Sequence, residues 1–182
     1  MAAATSRAAA LAAVRADGDA LMRLGEQHRC DRDIVVAAVS AAGASVDALL
    51  WAAPPLKEDR GVVLAAVQKH GRALRYTSGL RADREVVLAA VGNDGNALQW
   101  VDRALKDDRD VVLAAVTSQP LALQYASERL RGDAALVRIA ARTDARALLC
   151  APEQVQQSVR RDLEEGRKRY QTSYEHAYQQ RS

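Results

Sequence analysis

One nine-residue phrase, Asp-Arg-x-Val-Val-x-Ala-Ala-Val, is written into this chain several times over, and that repetition restricts the possible folds more than any other feature. It reads DRDIVVAAV from Asp31, DRGVVLAAV from Asp59, DREVVLAAV from Asp83 and DRDVVLAAV from Asp108. A weaker copy, SRAAALAAV, begins at Ser6, and a decayed one, DAALVRIAA, begins at Asp133, so the period is about 25 residues. An Ala-Leu pair follows each copy, at Ala20-Leu21, Ala48-Leu49, Ala73-Leu74, Ala97-Leu98, Ala122-Leu123 and Ala147-Leu148. The spacing is constant except in the second unit, where ASVD (44–47) carries an insertion. The Ala-rich start, MAAATSRAAALAAVRADG, is basic and resembles a transit peptide. Its place in the register assigns it to the fold instead.

Each unit reads as a pair of short helices. The aspartate opening each phrase suits an N-cap, because its carboxylate can accept from backbone N–H groups left free at a helix start. Asp33, Glu85 and Asp110 add first-turn negative charge, which the helix dipole favours. Gly18, Gly43, Gly71 and Gly95 follow the first helix at the position of a left-handed C-terminal cap, and Pro120 stops the chain there in unit five. The second helix is expected over, for example, Asn96 to Leu105, with Ala97, Trp100, Val101 and Leu105 on one face.

The first helix is apolar almost all round after its cap, as in Val86-Val87-Leu88-Ala89-Ala90-Val91, and so requires burial on more than one side. An isolated unit gains ~10–20 kcal/mol by burying its half-dozen apolar side chains. Ordering its backbone costs roughly 1–2 kcal/mol per residue, so neighbours must supply the missing contacts. The expected fold is all-α: helical-hairpin repeats stacked as a compact α-solenoid over residues 1–152, with a C-terminal helix or tail over 153–182. Units fall near 6–30, 31–58, 59–82, 83–107, 108–132 and 133–152.

The stretch LKDDRDVVLAAVTSQPLALQYASERL, residues 105–130, resembles the repeats of the domain-of-unknown-function family numbered 4116. That family carries tandem units of this length, each with a D-R-E-V-V-L-x-A-V opening and an A-L-x-Y-A-S-like second half. The likeness is good over 31–132 and weaker in the flanking units, while Gly61, Pro120 and the insert at 44–47 depart from the pattern. The resemblance implies a helical repeat and no particular activity.

Charge narrows the partner class only slightly. Of 182 residues, 26 are basic and 23 acidic, so the signs nearly cancel and clustered phosphate neutralisation is not demanded. No apolar run approaches the length of a membrane span. Cys30 and Cys150 lie in the first and last units, too far apart for a disulfide. Free thiols there suit a reducing, intracellular compartment, with the cytoplasm first and an organelle interior second. His28, His70 and His176 are scattered, and no phosphate loop, nucleophile motif or paired acid accompanies them. We therefore expect no enzyme, no cofactor and no metal site.

Four features are candidates for binding. Trp51, Tyr76, Trp100 and Tyr125 share one register position, either bracing the second helix or forming a stacking ladder for bases. Arg60, Arg84 and Arg109, with Arg7 and Arg32, recur at the first-helix start, joined by Lys57, Arg81, Lys106 and Arg131. They form either a phosphate stripe or inter-unit ion pairs. A variable edge containing His70, Asn93 and Gln119 serves either a partner or nothing at all. Finally, Val155, Val159, Leu163, Tyr170, Tyr174 and Tyr178 trace a stripe interrupted near Gly166. The part before Gly166 reads as a cap over unit six and the tyrosines as a docking element. The expectation is a non-catalytic protein-interaction scaffold or accessory subunit of a larger assembly. The alternative is single-stranded nucleic-acid binding through the aromatics and arginines.

Overall fold

The computed structural model describes residues 6–179, with side chains through Arg169. Each unit opens with a principal helix: α1 (Arg7–Ala16), α2 (Arg32–Ser40), α3 (Arg60–Lys69), α4 (Arg84–Asn93), α5 (Arg109–Ser118) and α6 (Ala134–Thr143). A long terminal helix, α7 (Glu153–Gln179), follows unit six. No strand occurs among the described residues. Each principal helix packs on those of the units before and after it, and the segments that follow the helices stack in the same order. The chain is thus an all-α repeat solenoid.

Capping follows the sequence. Asp83 Oδ1 accepts from the Glu85 and Val86 amides, and Asp31, Asp59, Asp108 and Asp133 cap in the same way. Along α4, Val86, Val87, Ala90 and Val91 are fully buried, while Leu88 and Ala89 are half-buried against the core. The Ala-Leu leucines from Leu21 to Leu123 are completely enclosed, forming a row down the middle of the array.

The expected second helix is replaced by two shorter pieces. In unit four a 3₁₀ turn covers Gly95–Trp100, Val101 is extended, and a further turn covers Leu105–Asp107. Units one, two, three and five have the same three-part form, with short closing helices at Glu26–Arg29, Pro54–Lys57, Gly79–Ala82 and Glu128–Arg131. The reason is periodicity. In a 3₁₀ turn residues three apart eclipse, and Gly95, Leu98 and Val101 are buried at that spacing with Ala97 beside Leu98, as are Gly71, Leu74 and Thr77 with Ala73 beside Leu74. The apolar positions repeat every three residues, a spacing the 3.6-residue template does not satisfy.

The glycines also differ from expectation, since no described residue has a positive φ. The link between α4 and its 3₁₀ turn is made by Asp94 in an extended conformation, φ −140° and ψ 106°. What the glycines supply is room. A Cβ on Gly71 would stand 2.2 Å from the Ala90 carbonyl oxygen of the next unit. On Gly95 it would stand 2.3 Å from the Ala115 oxygen, and on Gly18 2.3 Å from that of Ala38. Gly43 has no such neighbour, because the insert displaces it.

The helix α7 runs unbroken through Gly166, where an interruption was expected. Val159 is fully buried, Val155 and Leu163 pack on the core, and Arg138 pairs with Asp162 at 2.6 Å. The first half of α7 therefore closes the open face of unit six. Gly95→Ala should cost about 1–3 kcal/mol, since the atom it meets is backbone. Gly92→Ala, with nothing within 4 Å, should be neutral or stabilise α4 by up to about 1 kcal/mol. Equal effects in thermal melts would contradict this account of the spacing.

Candidate functional site

The helix-start arginines are engaged between units. Each reaches the capping aspartate of the next unit: Arg7 to Asp31 at 2.6 Å, Arg32 to Asp59 at 3.1 Å, Arg60 to Asp83 at 2.8 Å, and Arg84 to Asp108 and Arg109 to Asp133 at 3.3 Å. A second acid joins at Asp33 (2.7 Å), Glu85 (2.5 Å) and Asp110 (2.9 Å). Gly61 and Ala135 replace that acid, and the Arg32 guanidinium lies over Gly61. Hydrogen bonds from Arg7, Arg32 and Arg60 hold Asp31, Asp59 and Asp83 below the ordinary aspartate range. Asp108 is lowered first by the Val111 amide. At Asp133 burial works the other way, and the Leu136 and Ala135 amides prevail. Arg60, Arg84 and Arg109 thus carry charge that the array already balances.

The variable edge is a set of individual junction locks. His70 Nε2 lies 2.7 Å from the Ala44 carbonyl oxygen of the preceding unit. Asn93 Oδ1 accepts from the Gly71 amide at 2.7 Å, and its Nδ2 donates to the Gln68 carbonyl at 3.1 Å. Gln119 Oε1 accepts from the Asn96 amide and Ser118 Oγ from the Gly95 amide. Asp19 plays this part for unit two, accepting from the Ser45 amide and hydroxyl. Asn93, Ser118 and Gln119 meet free amides at a 3₁₀ start, whereas His70 meets a carbonyl, so the side chains differ from junction to junction. Pro120 has no amide hydrogen to satisfy.

A second basic row behaves differently. Arg29, Lys57, Arg81, Lys106 and Arg131 each stand two residues before a capping aspartate. The sequence grouped four of them with the helix-start arginines and missed Arg29, although the spacing K/R-x-D marks all five. The structure separates the two rows. None of these five is in an ion pair among the described residues, and all are half-buried. Arg29 and Lys57 line one cleft of about 370 Å³ with Trp51 and Glu26. Arg81 donates to the Arg75 carbonyl at 2.8 Å and Lys106 to the Gln99 carbonyl at 2.7 Å, each closing the C-terminal end of its own 3₁₀ turn. The Nε atoms of Arg29, Arg81 and Arg131 are buried without an acceptor. Burial lowers the pKa of the Lys106 ammonium; Asp102 opposes that and neighbouring Arg81 adds to it.

The next unit comes close beside this row. The Arg29, Arg81 and Lys106 carbonyls accept from the Ala53, Asp102 and Ser127 amides, two residues beyond Trp51, Trp100 and Tyr125. At the junction of units two and three Glu58 substitutes, accepting from the Thr77 and Ser78 hydroxyls and the Ser78 and Gly79 amides at 2.8–3.1 Å. Burial raises the Glu58 pKa, but these bonds outweigh it and leave the carboxyl below its ordinary value. All four aromatics are half-buried against the core with part of each ring exposed. Tyr76 is further held by Asp47 and lies under the Arg75 guanidinium, 4.6 Å from its ring centroid. A row of recessed cations, with the Trp51 ring beside Arg29 and Lys57, is the candidate site. The side chains of Tyr170, Tyr174 and Tyr178 lie outside the described residues.

Because the capping carboxyls are depressed in the folded state, their contribution is complete above the ordinary aspartate value of 3.8 and is lost as the pH falls below it. Thermal melts from about pH 5 to about pH 2 should show the midpoint falling mainly in the lower half of that range. Glu58→Ala, which leaves the buried Thr77 hydroxyl without its acceptor, should cost about 1–3 kcal/mol in denaturant titrations. A loss below about 0.5 kcal/mol would show the clamp to be incidental.

No curated protein and no solved structure matches this chain. The family model described as Domain of unknown function (DUF4116) matches it twice in tandem, over residues 59–106 and 108–156, more than half its length. Each copy spans two structural units, three with four and five with six, the last extended into α7. The chain belongs to the DUF4116 family.

Proposed function

We propose that this protein is a non-catalytic binding scaffold, or an accessory subunit of a larger assembly, and that the second basic row receives a protein partner. The observation that carries this reading is the contrast between the rows. Five helix-start arginines are matched to acids of the next unit, whereas the five cations from Arg29 to Arg131 have no such match. A recessed cation without a counter-ion is costly, and an anionic partner relieves that cost. The partner is acidic on the face it presents.

Among the described residues no helix is long and apolar enough to cross a membrane. Cys30 and Cys150 are free thiols, which supports a reducing, intracellular setting, the cytoplasm before an organelle interior. The Tyr-bearing end of α7 is a further docking candidate.

A second reading, single-stranded nucleic-acid binding, draws on the aromatics beside the same cations. Their rings are half-buried against the core, which leaves little open face for a base, and this ranks it second. Fluorescence anisotropy with labelled polyglutamate and a labelled oligouridylate separates the two. The scaffold reading expects polyglutamate to bind, and the triple change Lys57→Glu, Arg81→Glu, Lys106→Glu to weaken it at least about tenfold. Binding of the oligonucleotide alone, with a steep salt dependence, would replace this reading with the second.

A further inference from the structure

The basic row has a spacing as well as a sign. Its members occupy one register position in five successive units, and packed helices stand about 8–10 Å apart. Arg29 and Lys57 share a cleft, and Arg81 and Lys106 are close enough to repel. The cations are therefore offered one per layer along the stack, at roughly that interval.

Few extended chains can match it. A β-strand advances about 3.3 Å per residue, but every third side chain falls on alternate faces, and every second recurs at only about 6.6 Å. A polyproline II helix advances about 3.1 Å per residue with three residues per turn, so one face repeats every ~9 Å. That face repeat coincides with the layer interval. Trp51 shares its cleft with Arg29 and Lys57, and Cys150, at the matching position of unit six, senses the charge of Arg131. The Trp51 ring thus stands between the cations of units one and two, and aromatic-lined grooves are how polyproline segments are recognised. The acids near the groove are Glu26 at one end, Asp102 beside Lys106, and Glu58 and Asp107, whose carboxylates are already engaged by Thr77, Ser78 and Gly79 and by Ser127 and Arg129.

The geometry points to a specific occupant for this groove: a partner segment in polyproline II conformation carrying Asp or Glu at every third position, each acid meeting one unit's cation. This rests on the protein-binding reading above and adds its periodicity. Free nucleic acid is the competing occupant.

The test uses the full chain and four labelled probes in anisotropy titrations. One is a peptide of five Glu-Pro-Pro triplets, and another has the same composition with its glutamates contiguous. The others are polyglutamate and an oligouridylate of equal length. The periodic peptide should bind at least about tenfold more tightly than its permuted partner. Lys57→Gln should reduce that preference, as should Lys106→Gln, while Lys106→Arg retains it. Lys57 makes no internal hydrogen bond or ion pair among the described residues, so its variant keeps the fold intact, as melts will check. Equal binding of both peptides would overturn the spacing while leaving the acidic-partner reading in place. Binding of the oligonucleotide alone, or of no probe, would overturn both.

Discussion

Each unit-opening aspartate divides its carboxylate between two tasks, and the array depends on that division. One oxygen, Oδ1, accepts the free amides at the start of its own helix, and the other, Oδ2, receives the arginine of the preceding unit. The arrangement repeats from Asp31 to Asp133. Exposed ion pairs of this kind contribute little energy singly. They fix how far one unit is displaced along the next, and the burial that stabilises the core follows from that displacement. Valine must meet alanine, and the leucine row must run straight, for either to exclude water.

The same displacement explains the glycines and the junction locks. Once the layers are in register, the carbonyl at the end of one principal helix lies against the 3₁₀ start of the unit before it. At Gly71 and Gly95 only a hydrogen atom fits there. The amides of those glycines then need acceptors from the next unit, and Asn93 and Ser118 provide them. A single approach therefore dictates both a small residue and a polar one.

Much of this was legible in the residues. The N-caps, the period, the inclusion of the first unit and the burial of α7 ahead of Gly166 all follow from residue positions and their spacing. Three things were hidden. The 3₁₀ segments were read as α-helix because Ala97, Trp100, Val101 and Leu105 fit a 3.6-residue stripe, and Gly95-Leu98-Val101 at period three was passed over. The locks were hidden because His70, Asn93 and Gln119 share a task but no chemistry, so nothing in their types announced a common role. The two basic rows looked like one because they lie three residues apart in sequence. Only the fold shows that one is answered by acids and the other is not.

The junction between units five and six is built more sparingly than the rest. Pro120 stands where units one, three and four have a glycine amide, Ala135, like Gly61, stands in place of a second acid, and Arg109 reaches Asp133 alone. Between units three and four the same interface carries Arg60 on two acids, Arg72 on Asp94 and the Asn93 lock. Under tension or heat the stack would accordingly part at that seam, releasing unit six and α7 together as one terminal block and leaving the first five units intact.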